Sequence, residues 1–402
     1  MPYPPEQGTA IRNLALVRGI AASHPVALLS FYNGVEPDTR ALAQYCERVV
    51  TVRLPTRSRK DRLRTLFFSR EPDMARRLLS EEYWGALRDL VMSWRPDVVQ
   101  VEAIELAPYA FRLRDWLGDQ CPMIIFDDHN AEYLLQKRTA ARDGRRPARW
   151  PAALYSCIQW LRLRRYERRV CAVATVVLCV SEADAEALRA LLPGLEPVIV
   201  PNGVDLARYV HSDAAPLGHP ALLFTGKMDY RPNVDAMDWF CRSVLPLVRE
   251  AEPEAVLYIV GKDPKKPVRR LGELPGVVVT GYVPDITAYF AGADVFVAPL
   301  RVGGGTRLKI LEAMAAGTAL VSTRLGAEGI ALVDGEHALL ADDEVRMVEA
   351  IVALLRDEAL RDRLTIAARE FVAEHYDWSR IAPRIEAVYQ SLIVGRRRAS
   401  AA

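Results

Sequence analysis

Between Arg301 and Gly317 the chain reads RVGGGTRLKILEAMAAG, placing three adjacent glycines, a threonine, two cations and a carboxylate within one short stretch. Glycines allow positive φ and close approach of a ligand, and a helix that starts just after them presents unpaired N–H groups. Both features suit a phosphate. Thr306 is the expected N-cap, and Arg307 and Lys309 then fall in the first turn. Cations there oppose the helix dipole unless an anion lies in front of them. Glu312, one turn on, has the chemistry to accept two sugar hydroxyls, or else to pair as an ordinary surface glutamate.

The familiar phosphate motifs do not fit. GGGTRLK lacks the Gly-Lys-Ser/Thr ending of a P-loop, and Leu308 stands where a dinucleotide fingerprint needs Gly or Ala. These mismatches argue against ATPase and dehydrogenase chemistry.

The elements that must hold this loop follow from periodicity. Apolar runs PVALLSF, VVTVRL, DVVQVE, PMIIFD and TVVLCV alternate with amphipathic stretches, and after a Pro- and Gly-rich break the rhythm resumes with ALLFTG, AVLYIVG, GVVVTG, DVFVAP and TALVST. This alternation predicts an α/β protein of two doubly wound, Rossmann-like domains. The expected boundaries are 1–205, 206–376 and a C-terminal helix with a basic tail at 377–402, with a hinge near Pro201–Pro220. Gly226, Gly261, Gly281 and the glycine trio follow predicted strands in the second domain, and His129 does so in the first. Ligands bind beyond the carboxyl ends of such strands, so a cleft between the domains is expected.

Composition narrows the function classes. The 402 residues carry 53 Lys and Arg against 51 Asp and Glu, a net charge of +2, which does not point to a nucleic-acid partner. Six cysteines without a CxxC pair read as buried free thiols, and no zinc site is expected. No basic, apolar leader and no membrane-spanning run is evident, so a cytoplasmic location is expected. Two basic segments with aromatics, 53–70 and 137–169, suit peripheral contact with an anionic membrane. The competing reading of the second is a helix packed by Leu154, Ile158, Leu161 and Tyr166 with a solvated Arg face.

The string GGGTRLKILEAMAAGTALVST, with LLFTGKMDYRPNVDAMDWF, VTGYVPDITAYFAGADVFVAPL, VSEADAEAL, VPNGVD and DDHNAEYLLQKR, resembles the family-4 retaining glycosyltransferases of GT-B fold. Within them the chain is most similar to a bacterial branch associated with exopolysaccharide synthesis. The resemblance implies a metal-independent hexosyltransferase that moves sugar from a nucleotide-diphosphate sugar to a glycan or lipid-linked acceptor, with no separate cofactor. It assigns Glu312 to the ribose, and Gly304, Gly305, Thr306 and Arg307 to the diphosphate, with Lys309 among the catalytic cations. Gly226 and Lys227 fall at the family's Gly-Arg phosphate site, where Pro232 replaces the usual second cation and leaves Arg231 as the nearest substitute; Tyr282 and Val283 fall at the base, His129 at the transferred sugar, and Gly8 and Thr9 in an acceptor-side loop. Gly304 replaces the first of two motif glutamates, which implies altered donor-sugar contacts. A nucleotide-sugar epimerase and a non-catalytic nucleotide-sugar binding protein are the alternatives. No Asp-x-Asp metal motif is present, and in FDDHN one aspartate is read as a cap of the following helix.

Overall fold

The structure, a computed structural model, describes residues 1–5, 8–58, 61, 65, 69–144, 147–209 and 213–401. Much of the basic segment 53–70, including Phe67 and Phe68, lies outside the described residues. The chain divides into two compact units, one of Met1–Pro201 with Ile381–Ala402 and one of Asn202–Arg380. The terminal segment, expected as a tail, joins the first unit from Ile381 onward: Tyr389 donates its hydroxyl to Gln100 Oε1 at 2.7 Å, and Glu386 meets His24 at 2.9 Å.

In the second unit the strands are β7 (Ala221–Thr225), β8 (Val256–Val260), β9 (Val277–Gly281), β10 (Val295–Ala298), β11 (Ala319–Ser322) and β12 (Leu339–Leu340). They form one parallel sheet ordered β12-β11-β10-β7-β8-β9. Both faces are covered, which is why these strands read as unbroken apolar runs. Leu222 and Phe224 of β7 point into one core cluster with Trp239, Phe240 and Met347, whereas Leu223 joins the other with Phe290, Phe296 and Met314. Each such side chain contributes roughly 1.5–3 kcal/mol on burial. The two-residue β12 has no strand-length apolar run and is not evident in the sequence.

The first unit holds β1 (Ala27–Tyr32), β2 (Arg48–Arg53), β3 (Val98–Glu102), β4 (Met123–Asp128), β5 (Val176–Cys179) and β6 (Val198–Ile199). All pairs are parallel, and among the described residues they make two sheets, β1-β2 and β3-β4-β5-β6. Strand β6 is not among the apolar runs read as strands; two residues are too few to show an alternation. Cys46, Cys121, Cys171, Cys179 and Cys241 are buried free thiols and Cys157 is half-buried.

Helix α1 (Gly8–Ala21) begins at Gly8, so Gly8 and Thr9 open a helix and are not in a loop. Helices α2 (Glu132–Gly144) and α3 (Trp150–Val173) follow. Along α3 Tyr166 is buried as expected, but Leu154 and Leu161 are 65% and 49% exposed and do not pack the helix. Among the described residues no helix is long and apolar enough to cross a membrane.

Candidate active site

In the second unit the chain winds one way from β7 to β8 and β9 and the other way to β10, β11 and β12, so the order reverses between β7 and β10. Open parallel sheets bind ligands at the carboxyl side of such a reversal. Two segments emerge there: Gly226–Lys227 after β7 and the Leu300–Arg307 loop after β10, which leads into α5 (Leu308–Ala316). Helix α4 (Arg231–Trp239) completes the group, with Asn233 buried in its first turn.

The glycines let cations approach the backbone. Gly226 has φ 149°, and a Cβ there would lie 2.7 Å from both Lys309 Nζ and Asn233 Nδ2. Gly303 has φ 103°, and its Cβ would lie 2.7 Å from Arg307 Nη2. Asn233 ties the group together, accepting from Lys309 Nζ at 3.1 Å and donating to the Lys227 carbonyl at 2.9 Å. Asn233 was not singled out in the sequence, where it reads as one residue of a helix start.

The electrostatics are lopsided. Burial pushes the Lys309 ammonium down to about 7, Arg307's charge pushes the same way, and only the charge of Glu312 opposes them. Arg307 is also lowered by burial, and its buried Nε and Nη2 atoms have no hydrogen-bond partner among the described residues. Two neighbouring half-buried cations with few partners form a site that stabilises an added anion.

The cap differs from expectation. Helix α5 starts at Leu308, Arg307 takes the N-cap position without a side-chain cap, and the Thr306 hydroxyl reaches the Gly329 carbonyl at 3.5 Å. Gly329, at φ 83°, lets this approach happen, since a Cβ there would lie 2.7 Å from the Thr306 hydroxyl. Glu312 is half-buried, and burial raises its pKa; Tyr209 donates to its Oε1 at 3.1 Å, a partner with no sequence signal.

Lys227 is about half-exposed and pairs with Asp229 at 3.5 Å, and Arg231 is exposed at the start of α4. Tyr282 is 61% exposed with the Lys262 ammonium 4.9 Å over its ring, while Val283 packs against the core. Gly304 is buried and Gly305 has φ 80°.

In the first unit His129 follows β4. Its Nε2 lies 3.0 Å from Glu102 Oε2 and 3.6 Å from Asp127 Oδ2. Burial lowers the imidazole pKa, but Asp127 and Glu102 outweigh it and lift it to about 9. Arg12 of α1, which is 1% exposed, grips both Asp127 oxygens at 2.8 and 2.9 Å and donates to the Val200 and Pro201 carbonyls at 2.9 and 3.1 Å. Glu102, Asp127 and His129 place ligand atoms within 4.8 Å of one another, close enough to share a metal ion, but Asp127 is already neutralised by the Arg12 guanidinium. Arg12 and Glu102 were missed because an isolated Arg on a helix and a strand-end Glu carry no motif.

Neither aspartate of FDDHN caps α2. Glu167 accepts from the Glu132 and Tyr133 N–H groups at 2.9 Å each, and Asp184 accepts from Ala131 N–H at 3.1 Å. Asp128 is buried among these acids, and burial together with the Glu167 charge raises its pKa well above the usual range.

Known proteins resemble this chain over most of its length. Residues 7–208 match the family model described as Glycosyltransferase Family 4, and residues 219–357 match Glycosyl transferases group 1. Among curated relatives, a phosphatidyl-myo-inositol mannosyltransferase of Mycobacterium leprae is 35% identical over 211 residues, covering 50% of this chain and 54% of the relative. A glycogen synthase of Mycobacterium tuberculosis is 27% identical over 321 residues, covering 76% and 71%. The chain thus spans about half the length of the first of these. Among solved structures, a sucrose-phosphate synthase of Thermosynechococcus elongatus superposes with TM-score 0.70 at 18% identity, covering 97% of this chain and 94% of that one. The Anabaena protein HepE, in complex with UDP and glucose, gives 0.66 at 13%, covering 96% of each chain. These likenesses establish the GT-B fold.

Proposed function

The chain belongs to glycosyltransferase family 4, and on that premise we propose that it transfers a hexosyl group from a nucleotide-diphosphate sugar to a glycan or lipid-linked acceptor. The observation that carries this reading is the pair of half-buried cations, Arg307 and Lys309, set against the glycine loop at the reversal point of a parallel sheet.

The chemistry asks for little else. As the sugar–phosphate bond breaks, negative charge grows on the leaving diphosphate, and preorganised cations and N–H groups stabilise it. Glu312 is assigned to the ribose, accepting hydroxyl hydrogen bonds on the oxygen that Tyr209 leaves open. Tyr282 and Val283 are assigned to the base, and Gly226, Lys227 and Arg231 to the phosphates. His129, held between two carboxylates, is assigned to the transferred sugar. The acceptor hydroxyl gives its proton to the departing diphosphate on the same face, so the anomeric configuration is retained. No metal enters this scheme. Exopolysaccharide or cell-envelope glycan synthesis is the proposed setting, by resemblance, and the relative named as a mannosyltransferase acting on phosphatidyl-myo-inositol makes a lipid-borne acceptor a natural choice.

The test is a thermal-shift screen of nucleoside diphosphates and their sugars, followed by product analysis with and without acceptor. Product formed only with acceptor, with the donor's anomeric configuration, is expected. Turnover without acceptor would identify an epimerase, and stabilisation without turnover a binding protein.

A further inference from the structure

Glu312 is held from one side. It stands half-buried on α5, and among the described residues the side chain that hydrogen-bonds it is Tyr209, whose hydroxyl donates to Oε1 at 3.1 Å. Burial works against the ionised carboxylate; the Tyr209 hydrogen bond opposes this most, and the charges of Arg208 and Lys309 add to it.

The phenol is fixed in place. Tyr209 ends a short 3-10 helix, Leu206–Tyr209, and is 8% exposed. Its ring meets that of Phe290 edge-on at 6.1 Å and shares a core cluster with Leu311 and Met314 of α5. The chain entering this turn is pinned as well. Val204 N–H donates to the Tyr376 carbonyl at 2.8 Å, Trp378 N–H to the Val204 carbonyl at 3.2 Å, and Leu206 N–H to Asp377 Oδ2 at 3.3 Å. The terminal torsion of a free glutamate is broad and two-fold, so its oxygens exchange readily. A donor anchored in this way decides which carboxylate oxygen faces the core.

The two oxygens are therefore unequal acceptors. A carboxylate offers about four lone-pair sites, two on each oxygen. Oε1 has given one to the phenol and lies against its buried ring, whereas Oε2 accepts from no described residue. A hydroxyl on Oε2 meets the fuller charge, and one added to Oε1 meets a charge already shared and less room. Ribose brings two neighbouring hydroxyls to such a site, and spread over both oxygens they are not held alike.

We propose that Tyr209 is a positioning residue that makes Glu312 a lopsided ribose acceptor, in which the hydroxyl seated on Oε2 carries most of the contact and its neighbour little. This deepens the reading of Glu312 as the ribose carboxylate and rests on it. The consequence reaches the donor class: a carboxylate that depends on one hydroxyl tolerates loss of the other, so a nucleotide lacking the tolerated hydroxyl stays usable.

In the test, uridine, guanosine and adenosine diphosphates are titrated calorimetrically. The tightest binder is then compared with its 2′-deoxy, 3′-deoxy and 2′,3′-dideoxy analogues on the wild type, Tyr209→Phe, Glu312→Ala and the double variant. In the wild type one single-deoxy analogue is expected to bind about tenfold or more weakly, and the other within about threefold of the parent. In Tyr209→Phe, which keeps the ring, the two penalties should come within about threefold of each other, and in the Glu312→Ala background the same change should have no further effect. Equal single-deoxy penalties in the wild type, with the dideoxy analogue weaker than the parent, overturn the proposal and leave Glu312 at the ribose. A dideoxy analogue that binds as well as the parent, or no binding by any of the three diphosphates, removes the ribose reading and the proposal together. Inequality that persists in Tyr209→Phe, or an equal loss in both backgrounds, also overturns it, because Tyr209 would then act through the fold and not through Glu312. Should Tyr209→Phe not fold, the wild-type comparison decides by itself, unequal penalties upholding the proposal and equal ones ending it.

Discussion

Lys309 Nζ lies 3.1 Å from Asn233 Oδ1 and 4.0 Å above the Phe224 ring, an ammonium held by a neutral amide and an aromatic face. Neither partner cancels its charge, so the lysine remains ready for an anion. Lys309→Ala and Arg307→Ala are expected to weaken nucleoside diphosphate binding ~10- to 100-fold, the value of a charge-assisted contact of about 1.5–3 kcal/mol, and to leave binding of the nucleoside nearly unchanged. Calorimetric titration of both ligands checks this, and equal losses for the two would remove the phosphate assignment.

The same lysine makes binding depend on pH. Its pKa in the free protein is lowered to about 7, and a bound diphosphate raises it, so above pH 7 binding must also take up a proton. Affinity is expected to fall by up to tenfold per pH unit above 7 in the wild type, and Lys309→Met should flatten that limb. A wild-type profile flat from pH 7 to 9 would contradict a charged Lys309 at the phosphates.

Glu312 is tested by a thermodynamic cycle. Glu312→Ala is expected to weaken the ribose nucleotide by roughly 2 kcal/mol and its 2′,3′-dideoxy analogue much less. Equal losses would mean that the carboxylate serves only to anchor Tyr209.

In the first unit Arg12→Ala strands a buried carboxylate, Asp127, and should destabilise the protein by about 3–5 kcal/mol in denaturant unfolding. His129 adds a pH signature. Its folded pKa of about 9 exceeds the ordinary 6.5, so its stabilisation is complete below pH 6.5 and is lost as pH rises through 9, a total of ~3 kcal/mol at most. His129→Gln should abolish that part of the stability–pH curve.

Helix α3 carries Trp150, Leu154 and Leu161 at 63%, 65% and 49% exposure on an Arg-rich segment. Co-sedimentation with anionic vesicles but not neutral ones is expected, falling with salt, since each basic residue near the surface adds about 1 kcal/mol. Trp150→Ser with Leu154→Ser should reduce it severalfold. Absence of binding to either vesicle would leave this face without a membrane role.

The succession of the longer strands and the glycine turn into a helix were legible in the sequence because both are local. Apolar runs such as ALLFT and DVFVA suit buried parallel strands, and adjacent glycines between such a run and a helical pattern mark a strand-to-helix turn with positive φ. What only tertiary structure decided was every partnership between distant residues. Asn233 beside Lys309, Tyr209 on Glu312 and Arg12 on Asp127 join positions 76, 103 and 115 apart, and no spacing rule links side chains over such lengths. Thr306 gave its hydroxyl to Gly329 and not to the helix, and Glu167 and Asp184 took over the cap expected of FDDHN, because packing set which acceptor stood nearest. The break between β1 and β3 was likewise hidden: each strand shows its own apolar pattern, but pairing depends on what lies beside it, and that is settled only when the layers meet.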